Sequence, residues 1–426
     1  MITLLLFGIL FVFLFLGVPI ALCLGMAVFT AMFFNGDQQL FPVIVQRMFT
    51  QTDNFSFMAV PFFILAGNIM EKGGISSRLI DFFELLLRRM AARVACITVV
   101  ASAFFGAISG SNPATVAAIG GITVPRMKQK GYPADVAGAI AASAGTLGVI
   151  IPPSIPMVTY AVTASVSVGA VFMGGIIPGL ILAAVLVITN MKVCRKYEAP
   201  EQVKVLPKDL WSAFVSAFLA LLMPVIILGG IYGGLFTPTE SAAVASVYAL
   251  IISLFVYREM KLKDLYAVFR DSAISSAVIM LVIGMSSPFA WFMTYHNLTT
   301  ELATAALTLF NSEIALLLVM NVILLFLGCF LETQSIILLM TPILLPIATA
   351  IGLDPVALGI IIIINTSIGM ITPPMAVNIF VAAGVSGATI GQISKRMLIY
   401  LGVEIATLLV FTYIPGIITA LPNALG

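Results

Sequence analysis

The chain has 426 residues, of which 61% are hydrophobic and only 9% charged. Soluble domains carry roughly a quarter charged residues, so this composition excludes a water-soluble enzyme or binding module and places nearly the whole chain in a bilayer. The formal charge of +2 comes from basic residues scattered along the chain, which offer no face for nucleic acid.

The first segment, MITLLLFGILFVFLFLGVPIALCLGMAVFTAMFF, has no basic leader region and is too long for the apolar core of a signal peptide. It reads as one retained helix, bent at Gly17 and Pro19. About ten spanning segments of about 20 residues fit in the whole chain. Residues 1–74 are assigned to N-terminal scaffold helices. In residues 75–93, Leu79, Phe82, Phe83, Leu86, Leu87 and Met90 form one stripe at helical spacing, with Glu84 and Arg88 paired on the opposite side. That pattern predicts an amphipathic helix on the cytoplasmic interface.

Lys and Arg favour the cytoplasmic side. They gather at Arg88, Arg89 and Arg93; at Arg126, Lys128 and Lys130; at Lys192, Arg195, Lys196, Lys204 and Lys208; at Arg258, Lys261, Lys263 and Arg270; and at Lys395 and Arg396. No charge occurs from 94 to 125, yet both flanks of that stretch carry cytoplasmic markers. One helix cannot begin and end on the same side, and two full crossings need about 40 residues. A re-entrant hairpin over 94–125 meets both constraints, with its tip in the string SGSNP, Ser109 to Pro113. Arms of about 15 residues, rising about 1.5 Å each, carry the tip deep into the hydrocarbon. Non-helical backbone survives there only against protein or a water-filled cavity, so the tip is expected to line a site.

Residues 134–165 then run outward and 167–191 return, completing a first transport half at 94–191. The stretch 192–313 holds a basic cytoplasmic loop and scaffold helices at 212–235, 239–257 and 272–296. No Lys or Arg occurs from 271 to 394, as an external hairpin requires. A second hairpin is placed at 314–350, opening outward, with its tip at FLETQS, Phe330 to Ser335. A helix at 355–386 closes the second transport half at 314–394. A last helix, 397–420 within the C-terminal segment 395–426, leaves the C-terminus outside.

Shifting the chain against itself by 221 residues aligns Pro125 with Pro346, Gly131 with Gly352, and Gly138 with Gly359. Gly148, Pro152 and Pro153 meet Gly369, Pro373 and Pro374, in the strings GVIIPPS and GMITPPM. Proline lacks a donor and clashes with the preceding turn, so both helices, 134–165 and 355–386, are expected to break midway. In the same register Ser111 and Asn112 meet Glu332 and Thr333. The first hairpin opens inward and the second outward. The fold class is therefore an all-α polytopic membrane protein built from inverted repeats, with two re-entrant helical hairpins and two broken helices, as in elevator-type, ion-transporter-like folds. Broken helices present free N–H groups that suit a carboxylate and free C=O groups that suit a hard cation such as Na⁺.

With these strings in hand, the chain resembles the large membrane subunit of TRAP (tripartite ATP-independent periplasmic) transporters. The resemblance rests on FFGAISGSNPATVAAIG, GVIIPPSIP, GGLFTPTESAAVAS, FLETQSIILLMTPILLPIA and INTSIGMITPPMAVNIFVAAG, and covers essentially the whole chain. It implies a Na⁺-driven elevator permease of the bacterial inner membrane that takes up an organic acid, of the C4-dicarboxylate or sialic acid type, with two or more Na⁺ ions. It also implies a soluble periplasmic substrate-binding protein and a small four-helix membrane subunit, the latter expected as a separate chain. By resemblance to Na⁺-binding hairpin transporters, one sodium site would use Ser109, Ser111 and Asn112 with backbone at Gly145, Gly148 and Val149. The second would use Thr333 with Asn365, Ser367, Gly369 and Thr372. Substrate would meet Ser111, Pro153, Ser154, Glu332 and Pro374. A self-sufficient sodium–dicarboxylate symporter and an oxyanion permease share this architecture; the need for a separate binding protein separates them from the tripartite reading.

Other residues have plainer readings. Thr237 to Glu240 has capping-box spacing with Pro238 at the first helical position. Cys23, Cys96, Cys194 and Cys329 lie far apart without metal spacing and read as packing residues. His296, the single histidine, sits with Trp291 and Tyr295 in an interfacial aromatic belt. An intramembrane protease is excluded because His296 belongs to no glycine-serine motif and no pair of mid-membrane aspartates exists. A channel has no need of two site-forming halves. Glu404, in the last helix, is assigned no role.

Overall fold

The computed structural model describes residues 2–199, 207–310 and 312–425, all of whose regular elements are helical; the basic marker Lys204 lies outside them. Among the described residues, seven helices are long and apolar enough to cross a membrane, and the bent pair Ala134–Ile150 with Ile155–Thr163 makes an eighth. Ten were expected from composition. The shortfall arises because hairpin arms and half-helices such as Arg93–Ser109, Glu313–Gly328 and Pro355–Gly369 are apolar but too short to cross alone.

The apolar opening stretch is two helices rather than one. Gly17 adopts φ +77°, a left-handed turn conformation open to glycine at little cost. The chain therefore folds back, and Ile2–Phe15 packs on Ile20–Asn35. Helix Phe41–Thr52 follows, an element that sequence reading did not separate.

The scaffold is organised around Ala59–Lys72 packed along Pro238–Ile251. The contact face of the latter carries buried Ala242, Ala245 and Ala249, and such small residues let helix backbones approach closely in lipid. Ser246 Oγ donates to the Phe62 carbonyl at 2.7 Å and Thr239 Oγ1 to the Phe55 carbonyl at 3.0 Å, which tie the pair together. The capping box at Thr237 is formed: Glu240 N–H donates to Thr237 Oγ1 at 3.2 Å, and Thr237 N–H to Glu240 Oε2 at 2.8 Å. Helices Pro207–Tyr232 and Leu262–Tyr295 complete this layer, with Leu298–Leu309 a further short helix unread in the sequence.

The amphipathic helix is shorter than the 75–93 stretch. It spans Ile75–Leu86 and packs on Pro207–Tyr232 and Arg93–Ser109, burying Leu79 and Phe83 but leaving Leu86 exposed. It ends at Leu86, and the chain then turns back through Ala92, whose φ is +51° and whose N–H donates to the Glu198 carbonyl at 2.9 Å. Met90 thus lies beyond the helix. Glu84 reaches Arg126 at 2.6 Å, a residue of the first hairpin. Arg93, read only as a loop marker, is buried and pairs with buried Glu198 at 3.4 Å.

The two repeats are visible as matched elements. The first hairpin consists of Arg93–Ser109 and Asn112–Gln129, and the second of Glu313–Gly328 and Thr333–Ala350. The first broken helix is Ala134–Ala144, Leu147–Ile150 and Ile155–Thr163; the second is Pro355–Gly369 and Val377–Ser386. The second arms start at 112 and 333 and the broken helices at 134 and 355, the same 221-residue spacing that separates Thr146 from Ser367. Ser367 Oγ donates to the Thr146 carbonyl at 2.8 Å, so two equivalent residues touch. Related copies meet at equivalent positions only where the axis relating them passes.

Ile390–Tyr413 runs beside both broken helices and ends before Pro415, since the residue preceding proline is pushed out of helical geometry. A separate helix, Gly416–Leu425, packs on Val168–Val193. The single last helix expected at 397–420 is therefore two.

Candidate ion and substrate site

Glycine lets each hairpin reach the break of its own repeat. A Cβ on Gly106 would lie 2.8 Å from Gly148 Cα, and one on Gly148 would lie 2.6 Å from the Ser111 carbonyl oxygen. In the second repeat a Cβ on Gly328 would lie 2.9 Å from Gly369 Cα. Any side chain at these points would collide with backbone, so the two tips are seated on the two breaks by main-chain contact.

At the first tip Ser111 caps the second arm, followed by Asn112 and Pro113 in the opening turn. Ser109 Oγ lies 3.1 Å from Thr115 Oγ1, and Thr115 Oγ1 donates to the Ser111 carbonyl at 2.8 Å. Asn112 Nδ2 donates to Ser367 Oγ at 2.6 Å, and that hydroxyl continues to Thr146. One chain of hydrogen bonds thus links the first tip, the second break and the first break. Asn112 is 1% exposed and its Oδ1 has no partner.

In the second repeat Asn365 is fully buried and donates to Asn321 Oδ1 at 2.7 Å, and Asn321 in turn donates to Thr412 Oγ1 at 3.1 Å. Its own Oδ1 has no partner. Buried polar atoms are nearly always bonded, so unpaired amide oxygens beside frayed helix ends fit a cation that prefers oxygen ligands. Thr333 Oγ1 is directed to Met370 Sδ at 3.6 Å, and Thr372 Oγ1 to the Ile368 carbonyl at 2.9 Å.

A cavity of about 230 Å³ lies between the tips and the scaffold. The first tip lines it from Ser109 to Ala114, the second through Glu332, Thr333 and Gln334, and the breaks through Val149 and Met370. Its scaffold wall is Ile64, Gly67, Asn68 and Glu71 of Ala59–Lys72 with Ser275 and Ile279 of Leu262–Tyr295. The cavity therefore gathers Ser109, Ser111, Asn112, Val149, Glu332 and Thr333 from the residues named in the sequence. Gly145, Gly148, Ser367 and Gly369 are buried in the packed layer behind it. Pro153 and Ser154 are also buried outside the lining, and Pro374 is exposed elsewhere. Asn68, Glu71, Ser275 and Gln334 were missed. The three scaffold residues carry no repeat partner: the packing of Ala59–Lys72 against the first tip, where a Cβ on Gly67 would lie 3.1 Å from Ser109 Cα, places Asn68 and Glu71 here, and Leu262–Tyr295, packed on that helix, brings Ser275.

Away from the cavity, His296 Nε2 lies 3.0 Å from Asp37 Oδ2, and its ring meets Phe292 at a tilt and Tyr295 edge-on. All four cysteines are free and buried. Glu404 is fully buried, facing the Thr146 side chain.

The model of the tripartite ATP-independent periplasmic transporter DctM component matches residues 7–417. The chain belongs to that family. It is 38% identical over 438 residues to the C4-dicarboxylate TRAP transporter large permease protein of Rhodobacter capsulatus, covering 100% of this chain and 99% of the relative. It is 44% identical over 413 residues, 97% of its length, to the isethionate TRAP transporter permease protein DctMQ of Oleidesulfovibrio alaskensis, and spans 65% of that longer protein. The sialic acid large permease of Vibrio cholerae is 35% identical, with 83% of each chain covered. The fold is similar to that of the Alcanivorax borkumensis YdaH transporter, with a TM-score of 0.63 over 89% of this chain and 88% of that one at 15% identity. This DctM-family chain is thus a multi-pass membrane permease component of a TRAP transporter, not an enzyme.

Proposed function

We propose that this permease takes up an organic acid across the bacterial inner membrane, driven by two or more Na⁺ ions, by an elevator motion of the two repeats against the scaffold. The observation that carries this reading is that two of the unpaired, buried amide oxygens stand in the hairpin-tip and broken-helix elements of the two repeats, Asn112 Oδ1 at the first tip and Asn365 Oδ1 at the second break. The first site would take further oxygens from Ser109, Ser111 and the carbonyls of Gly145, Gly148 and Val149, and the second from Thr333, Gly369 and Thr372, with Ser367, hydrogen-bonded to Asn112, standing between the two. Inverted repeats that meet at broken helices are the usual frame for coupled ion and substrate sites at mid-membrane. Neutral ligands suit an ion that must leave again at each cycle.

The substrate occupies the cavity between the tips, with its anionic group at the ion-loaded tips. Relatives named for C4-dicarboxylates, sialic acid and isethionate support a carboxylate or sulfonate as the chemical class. One elementary charge crossing 100 mV is worth about 2.3 kcal/mol, so two Na⁺ with a monoanion gain from the membrane potential as well as from the sodium gradient. A periplasmic binding protein delivers the acid, a small four-helix subunit completes the scaffold, and the C-terminus lies on the periplasmic side.

The test is uptake in proteoliposomes holding this chain with its small subunit and binding protein. A sodium gradient is expected to drive accumulation, and replacing Na⁺ by K⁺ or omitting the binding protein to abolish it. Uptake with the binding protein omitted would instead identify a self-sufficient symporter; uptake without Na⁺ would end the coupling assignment.

A further inference from the structure

The charge pattern of the cavity bears on which acid it takes. Glu71 from the scaffold and Glu332 from the second tip both line it, and no Lys, Arg or His is among the described residues that do. Lys72, next in the chain to Glu71, reaches Asp271 at 3.7 Å. The rest of the polar lining is neutral, and one member of it lacks any partner: Gln334 is 6% exposed, yet neither Oε1 nor Nε2 is bonded. A buried carboxamide left wholly unpaired at a cavity wall calls for a ligand to satisfy it.

We infer that the site takes a small monoanion bearing hydroxyl groups and discriminates against dicarboxylates. This rests on the sodium-coupled organic-acid reading, which supplies positive charge at the tips for one anionic group. Glu71 and Glu332 already balance two sodium charges, so a second anionic group would face those carboxylates with no cationic side chain to offset it, and like charges brought together are a strong element of rejection. Hydroxyl groups reverse the balance. They donate to the carboxyls of Glu71 and Glu332, and they accept from Gln334 Nε2 while donating to its Oε1. A cavity of about 230 Å³ falls below the range of about 300–1,000 Å³ of pockets for drug-sized ligands, so the acid is small.

The experiment uses this chain purified with its small subunit and titrated, in sodium and separately in potassium buffer, with glycerate, gluconate, succinate and malonate, reading binding from the shift in thermal unfolding. Glycerate or gluconate is expected to bind in sodium at least about tenfold more tightly than succinate or malonate, a difference of about 1.4 kcal/mol. Glu71→Gln is expected to shrink that ratio to about threefold or less. Gln334→Ala is expected to weaken the hydroxylated acids about tenfold and leave succinate unchanged. A single cooperative unfolding transition in both variants shows that they are folded. Succinate binding as tightly as glycerate, a ratio unaltered in both variants, or binding of none of the four acids would overturn the inference. The two readings fail separately: selectivity for hydroxylated monoanions that is equal in sodium and potassium would sink the coupling and keep the specificity.

Discussion

The two hairpin tips occupy matched places in the repeat and carry different chemistry. The first, Ser109 to Asn112, is built of hydroxyls, a glycine and an amide, and Asn112 is buried and bonded to the opposite repeat. The second, Phe330 to Thr333, offers a carboxylate at the same register, and Glu332 is exposed to the cavity. Each arm pair is seated on its own break through a glycine pair. The shared contacts therefore fix where the tips stand, and on the proposed reading the divergent residues set what each one adds: a cation ligand in Asn112 at the first, a carboxylate facing the variable part of a substrate in Glu332 at the second.

The seating is the feature whose loss should matter most. Gly369→Ala would place a Cβ on top of Gly328 Cα, whereas a Cβ on Gly121 would meet nothing within 4 Å, so Gly121→Ala serves as a control. Overpacking against backbone costs about 1–3 kcal/mol or more, and Gly369→Ala should lose nearly all uptake and several degrees of thermal stability, with Gly121→Ala unchanged. Equal behaviour of the two variants would break the account of how the tips are held.

A smaller and more selective effect is expected at the second tip. Glu332→Gln should raise the substrate concentration for half-maximal uptake about fivefold to tenfold, with the sodium dependence moved less than twofold. A matching rise in the sodium requirement would mean that the tips are not divided by function. The smallest effect belongs to the scaffold. Thr237→Ala removes a helix cap worth about 1 kcal/mol, which should lower the unfolding temperature by a few degrees and leave uptake intact. Any loss of uptake larger than the loss of folded protein would give Thr237 a role beyond capping.

Topology can be checked without function. Cysteines placed at Met90 and Lys128 should both label from the cytoplasm, as a re-entrant first hairpin requires. Labelling from opposite sides would turn the hairpin into a crossing.

The repeat was legible because its signals are discrete. Pro152–Pro153 and Pro373–Pro374 end helices wherever they stand, and the absence of charge from 94 to 125 between basic flanks leaves few ways to arrange the chain. Element starts at 112 and 333, and at 134 and 355, fall on the register that those prolines define. What stayed hidden depends on contacts between distant segments. Nothing local marks Glu71 or Asn68 as cavity residues, and Asn321 is tied to Asn365 only through tertiary packing. Nor does an unbroken apolar run reveal a fold-back: the left-handed turn at Gly17 divides two helices that composition alone reads as one.

The central claim is that the first tip holds a sodium ion through Asn112. The most direct measurement is the sodium dependence of uptake by Asn112→Ala in proteoliposomes, with insertion confirmed in the same preparation. The account predicts normal insertion, with sodium-driven uptake lost or its half-saturating sodium concentration raised at least about tenfold. An unchanged sodium curve would contradict it.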